Sequence, residues 1–445
     1  MINMLGVLIF LLVLIYLGLN LAIWKRTKSM ALLIAQGLIY VYTFHGFLLL
    51  YLGRIFPTIY EKIHYFYKYP FYASFDLILI KSLIYQLIFA ILFLLVLLVF
   101  ALNVKEKKRE KAVEIDLKLI SIVLGLILLA NLFLWREQFF NFIRYGDISY
   151  LFYKITAANL FGWYTLSRLA FDFLAMGLIF LGFIIFGLSK DFKIKKSTYN
   201  PYLFVFILFL LVLLVMILFS LGDRLSLVIG TLFAVSLAIY NKKDKKGLAK
   251  VLVVLFLLFL LINSIRIFRN DLADIGDDFS RDSQTLFADV VVTGEGHYTF
   301  SLNAVMKYGK ERFNGGSLKH ALFVFIPSFI VKERPISGYD FMVDQLILDK
   351  FTGFGMHYSS DWYLNFGFLG IIVGALVLGL IFGGIYRLSL KSQGWRFVLA
   401  GMIGILPLFL RDGMAGYKNL VYYGIFGAII YFLIYFKDSF SGIKL

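Results

Sequence analysis

Between Pro201 and Leu221 the chain runs PYLFVFILFLLVLLVMILFSL, with no charged side chain in the stretch. A helix of about 20 apolar residues has no stable place in water and is the length that crosses the hydrocarbon core of a bilayer. Similar runs recur along the chain, near 4–24, 29–53, 77–102, 117–135, 158–188, 201–221, 225–240, 250–268, 363–386, 396–410 and 418–436. Each is too long, and too uniformly apolar, for the alternating strands of a membrane barrel. The expected fold class is therefore an all-α polytopic membrane protein with about eleven transmembrane helices. Composition agrees: 61% of the 445 residues are hydrophobic and 16% charged, which excludes a soluble globular enzyme. The first run lacks a small-residue cleavage site and reads as a retained helix.

Charge sets the threading. The connections at 25–28, 103–118, 190–196, 241–250, 387–396 and 437–445 carry 23 Lys and Arg, against 9 in the alternate short connections at 54–76, 136–157, 222–224 and 411–418. Basic residues collect on the cytoplasmic side, so the expected N-terminus lies outside and the C-terminus inside. The formal charge of +17 is thus explained by topology, with the bilayer as the partner and no nucleic acid implied. With no Cys, disulfides, thiolate metal sites and cysteine nucleophiles are excluded, and five dispersed His argue against a metal centre.

One connection differs in kind. Residues 264–362 form an outer loop of 99 residues with 10 basic and 13 acidic side chains, long enough to expect a small folded subdomain. The chain then divides into 1–263, holding the first eight spans, the loop at 264–362, and 363–445 with the last three. Within the loop, Leu318–Val331 is apolar but short and broken by Pro327, as an interfacial or re-entrant helix would be. Tyr339–Lys350 places Phe341, Leu346 and Ile347 near one face, as in a surface helix.

No phosphate-binding loop, dinucleotide fingerprint, HExxH or GxSxG pattern occurs. Candidate chemistry therefore lies with charges at membrane depth, where they are costly unless paired or functional. Asp223 and Arg224 stand in a short outer hairpin, Arg411, Asp412 and Lys418 in a second, and each set reads either as a turn tip or as part of a site. Arg168 and Asp172, four apart in the fifth span, read as an ion pair or as cavity charges. His357 and Asp361 lead into the ninth span, where Asp361 is a candidate base or a helix cap. Trp362 and Tyr363 beside them suit an aromatic belt. Glu295 and His297, between glycines in the loop, are either a solvated turn or a further base pair of candidates. Guanidiniums of Arg224, Arg411 and Arg168, with Lys418, would suit a diphosphate, because the guanidinium stays charged and binds phosphate oxygens bidentately.

The hairpin at 222–226, the stretch from Gly355 to Gly370 with Asp361-Trp-Tyr-Leu-Asn-Phe-Gly, the late Arg411-Asp-Gly turn and the large late outer loop together resemble the O-antigen polymerase (Wzy) and oligosaccharide repeat-unit polymerase family. That family often carries Glu where this chain has Asp361. The resemblance implies a C-type glycosyltransferase fold in a bacterial cytoplasmic membrane. It implies a metal- and cofactor-free transfer of a growing glycan from a polyprenyl-diphosphate carrier to a lipid-linked repeat unit. It also implies a chain-length regulator as a partner. A glycan ligase shares the layout, and a lipid-linked oligosaccharide flippase is the alternative outside transferases, against which stand the single large loop and the absence of internal repeats.

Overall fold

The structure is a computed structural model and describes residues 2–44, 47, 77–102, 113–115, 117–146, 163–188, 192–194, 200–237, 300–309, 311–326, 333–346 and 355–441. Its elements in chain order are helices α1 (Ile2–Thr27), α2 (Met30–Thr43) and α3 (Leu77–Leu102), strand β1 (Val113–Ile115), helices α4 (Leu117–Leu134), α5 (Arg136–Tyr145) and α6 (Trp163–Ile185), and strand β2 (Phe192–Ile194). Helices α7 (Pro201–Ser220), α8 (Leu225–Leu237), α9 (Ser301–Tyr308), α10 (Gly316–Phe323), α11 (Gly338–Leu346), α12 (Tyr358–Ser389), α13 (Gln393–Asp412) and α14 (Tyr417–Ser441) follow, the last two joined by a 3-10 turn at Gly413–Gly416.

Seven helical segments among the described residues are long and apolar enough to cross a membrane, the last of them comprising both α13 and α14; α2 and α8 are shorter apolar helices. The outer faces are what a bilayer requires: Val7, Phe10 and Leu21 on α1, Val205 and Phe209 on α7, and Leu369 and Leu380 on α12 are all more than half exposed. Such a surface would be an aggregation site in water and is in its solvent in lipid. The protein is a helical membrane protein. The expected span at 250–268 lies outside the described residues, as do Glu295 and His297.

Two findings amend the all-helical expectation. The basic connections at 103–118 and 190–196 meet in a parallel pair of three-residue strands, Val113 opposite Phe192 and Ile115 opposite Ile194. Alternating hydrophobic periodicity cannot reveal a pairing this short, because register comes from the helices that deliver the strands. The pairing joins two segments that the charge alternation assigns to the same side. The second finding is that α12 begins at Tyr358 rather than 363 and breaks at Gly367, whose φ of 63° and ψ of −147° are open to glycine alone at low cost. Residues 358–366 therefore form a short helix folded over the start of the long one: the Trp362 ring lies against Gly374, and the Tyr358 hydroxyl reaches the Gly374 carbonyl at 3.3 Å. At the break the Phe313 N–H supplies a partner to the Leu364 carbonyl at 3.1 Å, and the Arg312 guanidinium occupies the space where a Gly367 side chain would be.

The described part of residues 264–357 packs on this broken helix. α9 lies against α3 and α12, while α10 and α11 lie against the 413–416 turn. In α11 the buried side chains are Met342 and Val343, with Phe341 half-buried and stacked on Phe313 at a ring separation of 4.3 Å. Of the face expected from Phe341, Leu346 and Ile347, the Leu346 side chain and Ile347 lie outside the described residues. α10 spans only Gly316–Phe323, shorter than the apolar run suggests.

Candidate functional site

Two groups of buried polar side chains occupy the same end of the bundle. The short helix 358–366 starts with His357, whose Nδ1 accepts from the Ser359 N–H at 3.2 Å and faces the Ser359 Oγ at 2.7 Å. His357 is therefore the cap of α12, and Asp361, a full turn further on, is free of that task. The ring is fully buried, edge-on to Phe89, and its Nε2 has no hydrogen-bond partner. Burial pushes its pKa down to about 3, so the imidazole is neutral. The backbone N–H of His357 donates to the Ser301 Oγ at 3.0 Å, tying α9 to the start of α12.

Asp361 is 2% exposed and gathers four segments. Its Oδ1 accepts from the Ser317 Oγ of α10 at 2.5 Å and from the Asn365 Nδ2 at 3.1 Å, and its Oδ2 accepts from the Met414 N–H of the 413–416 turn at 2.8 Å. Gly338, the first residue of α11, and Gly413, with φ of 63°, come so close that a side chain on either would strike the carboxylate. The α13–α14 turn delivers the neighbouring cations. The Arg411 carbonyl accepts from the Met356 N–H at 2.7 Å, and its side chain faces Asp412 at 3.6 Å. Lys418, in the first turn of α14, is within range of charge interaction with Arg334 and Asp412. His320 is near enough to Asp361 to interact electrostatically, and its Nδ1 meets the Pro335 carbonyl at 2.6 Å.

The second group centres on Asp172 of α6. Its carboxylate accepts from the Ser226 Oγ at 2.6 Å and from the Tyr423 hydroxyl of α14. Ser226 also faces Asp223 at 2.9 Å, and Asp223 caps α8 through the Leu225 N–H at 3.0 Å. Arg168 is close enough for its charge to act on Asp172. Tyr423 is six residues beyond Tyr417, so along α14 the two groups are separated by ~9 Å.

The expected cations stand in different surroundings: the charge of Arg168 acts on Asp172, Arg411 faces Asp412, and Lys418 is within charge range of Arg334 and Asp412. Ser317, Asn365, Gly338 and Gly413 complete the Asp361 group; Asn365 and Gly413 stand in stretches the sequence reading quoted, while Ser317 and Gly338 were given no role. Ser317, Gly338 and Gly413 lie 23 to 52 residues from Asp361, so no local spacing joins them to it. Among the described residues, no group of three His, Asp or Glu is placed to hold a metal ion. No protein family, curated protein or solved structure matches the chain.

Proposed function

We propose that the chain is a polysaccharide repeat-unit polymerase, working on polyprenyl-diphosphate-linked glycans at the outer face of a bacterial cytoplasmic membrane. The observation that supports this reading most is the Asp361 group: one enclosed carboxylate held where the loop helices meet the α13–α14 turn, the turn whose flanks also carry Arg411 and Lys418. In the reaction, an acceptor sugar hydroxyl attacks the donor's anomeric carbon. The bond from that carbon to the diphosphate oxygen breaks, and its electron pair leaves on the lipid diphosphate. The hydroxyl proton passes to the Asp361 carboxylate. A diphosphate is already a stable anion, so the protein's task at the leaving group is fixed positive charge, which Arg411 and Lys418 supply.

Asp361 is 2% exposed with both oxygens bonded, so the acceptor reaches it when Ser317 moves aside with α10. Reconstitution of the purified chain with short lipid-diphosphate oligosaccharides should yield a ladder of longer glycans. Transbilayer movement of these lipids without any elongation would instead mark a flippase, and no turnover at all would leave the Asp361 group structural.

A further inference from the structure

Beside the Asp361 group lies a groove of about 810 Å³ between α10, α12, α13 and α14. Every residue lining it is apolar, aromatic or glycine. Leu318, Phe325 and Tyr417 stand at its mouth, next to the carboxylate group, and Ile381, Ala428 and Trp395 lie deeper along it. From Tyr417 to Ala428 it follows eleven residues of α14, ~17 Å, more than half of a ~30 Å hydrocarbon core. Val421 and Ile425 on its edge are about half exposed, so the groove opens sideways into lipid and a water-soluble ligand has no route to it.

The mouth carries a surplus of positive charge: Asp412 faces Arg411 and is also within charge range of Lys418, which in turn is within charge range of Arg334, so three cations share this carboxylate. The Arg334 Nη2 donates to the Ile326 carbonyl at 2.6 Å, fixing the fork, while its Nε is enclosed with no partner. A rigid guanidinium with an unused donor, next to an ammonium, suits an anion with several oxygens better than a single phosphodiester.

Resting on the polymerase reading, we propose that Arg334 and Lys418 clamp the diphosphate of the lipid carrier while its hydrocarbon chain lies in this groove. The α10 segment then has two roles: Ser317 on its inner side holds Asp361, and Leu318 and Leu322 on its outer side form the wall of the groove. Chain binding and access to the carboxylate are thereby coupled through one short helix.

The test is binding of a glycan-free long-chain polyprenyl diphosphate to the full chain in nanodiscs, read by native mass spectrometry. Arg334→Gln should weaken binding about tenfold or more, with partial recovery in Arg334→Lys. Ala428→Trp and Val421→Trp, which fill the groove from its half-buried and lipid-facing sides, should each weaken it comparably while eluting and melting as the parent does. An uncharged polyprenol should respond to the two tryptophan variants and not to Arg334→Gln. Unchanged affinity in both tryptophan variants would overturn the groove, as would equal competition by phosphatidylglycerol. Binding as expected without any glycan ladder retires the polymerase reading and leaves the groove standing. A ladder that persists undiminished in Ala428→Trp does the reverse.

Discussion

Asp361 accepts hydrogen bonds from α10, from its own helix and from the 413–416 turn, with two glycines closing the remaining space. Lengthening the side chain by one methylene should therefore force the turn or α11 aside: Asp361→Glu is expected to cost roughly 1–3 kcal/mol and to lower the melting temperature. An unaltered melting temperature in that variant would mean the pocket is open rather than closed. Asp361→Asn keeps the shape but turns one oxygen into a donor facing another donor, so it should lose stability and, on the proposed mechanism, in which Asp361 takes the acceptor's proton, about 10²-fold or more in glycan elongation. His357 makes a pH prediction. In the folded chain it is neutral down to about pH 3, whereas an unfolded imidazole binds a proton below ~6.5. The unfolded state thus takes up the proton first as pH falls, and stability should drop by about 2 kcal/mol between pH 7 and pH 5. His357→Gln should flatten that part of the melting profile; an equally steep profile would assign the pH dependence to another group. Of this site, Asp361, His357 and Arg411 were legible from sequence because they are polar residues at the edges of apolar runs. Ser317 was not, since a serine is equally at home on any loop helix and its role comes only from the carboxylate it meets.

Helix positions were legible because they follow from desolvation of the backbone, which depends on local composition. The Gly367 break was not, because nothing in the run Asn365-Phe-Gly-Phe-Leu-Gly370 distinguishes a broken helix from a continuous one until Phe313 and Arg312 arrive from the loop. Close approach between elements follows the same logic. α13 and α14 touch through glycines on both sides: a side chain on Gly401 would meet the Tyr423 carbonyl, and one on Gly427 the Phe397 carbonyl. Lipid offers apolar surfaces no incentive to associate, so this backbone proximity, and the dispersion contacts it allows, is what holds the pair. Gly401→Val or Gly427→Val should push the helices apart and cost on the order of 1–3 kcal/mol or more, read as loss of folded yield in mild detergent. Tyr423 carries the Asp172 hydrogen bond from the same stretch, so Gly401→Val should disturb both polar groups at once. Wild-type yield in either valine variant would show that the crossing tolerates separation.

At the scale of the molecule, we propose from the charge alternation that the loop helices and the basic connections lie on opposite sides of the membrane. A single cysteine at exposed Lys319 should react with an impermeant thiol reagent in intact cells, and cysteines at 108 and 243 should not. Lys319 is the better reporter than its neighbour Gly316, whose Cβ position is filled by the Phe313 ring. Labelling at 108 in unbroken cells would reverse the threading. The way Asp361 is satisfied also orders events during synthesis. Its Oδ2 partner, the Met414 N–H, lies 53 residues later in the chain, so the carboxylate leaves the ribosome well before that donor exists. Until α13 and α14 have inserted, α10 and α11 have no turn to pack on. A nascent chain halted before Gly413 should therefore leave the helices at 316–346 undocked and open to surface proteases, and completion of α13 and α14 should remove that sensitivity.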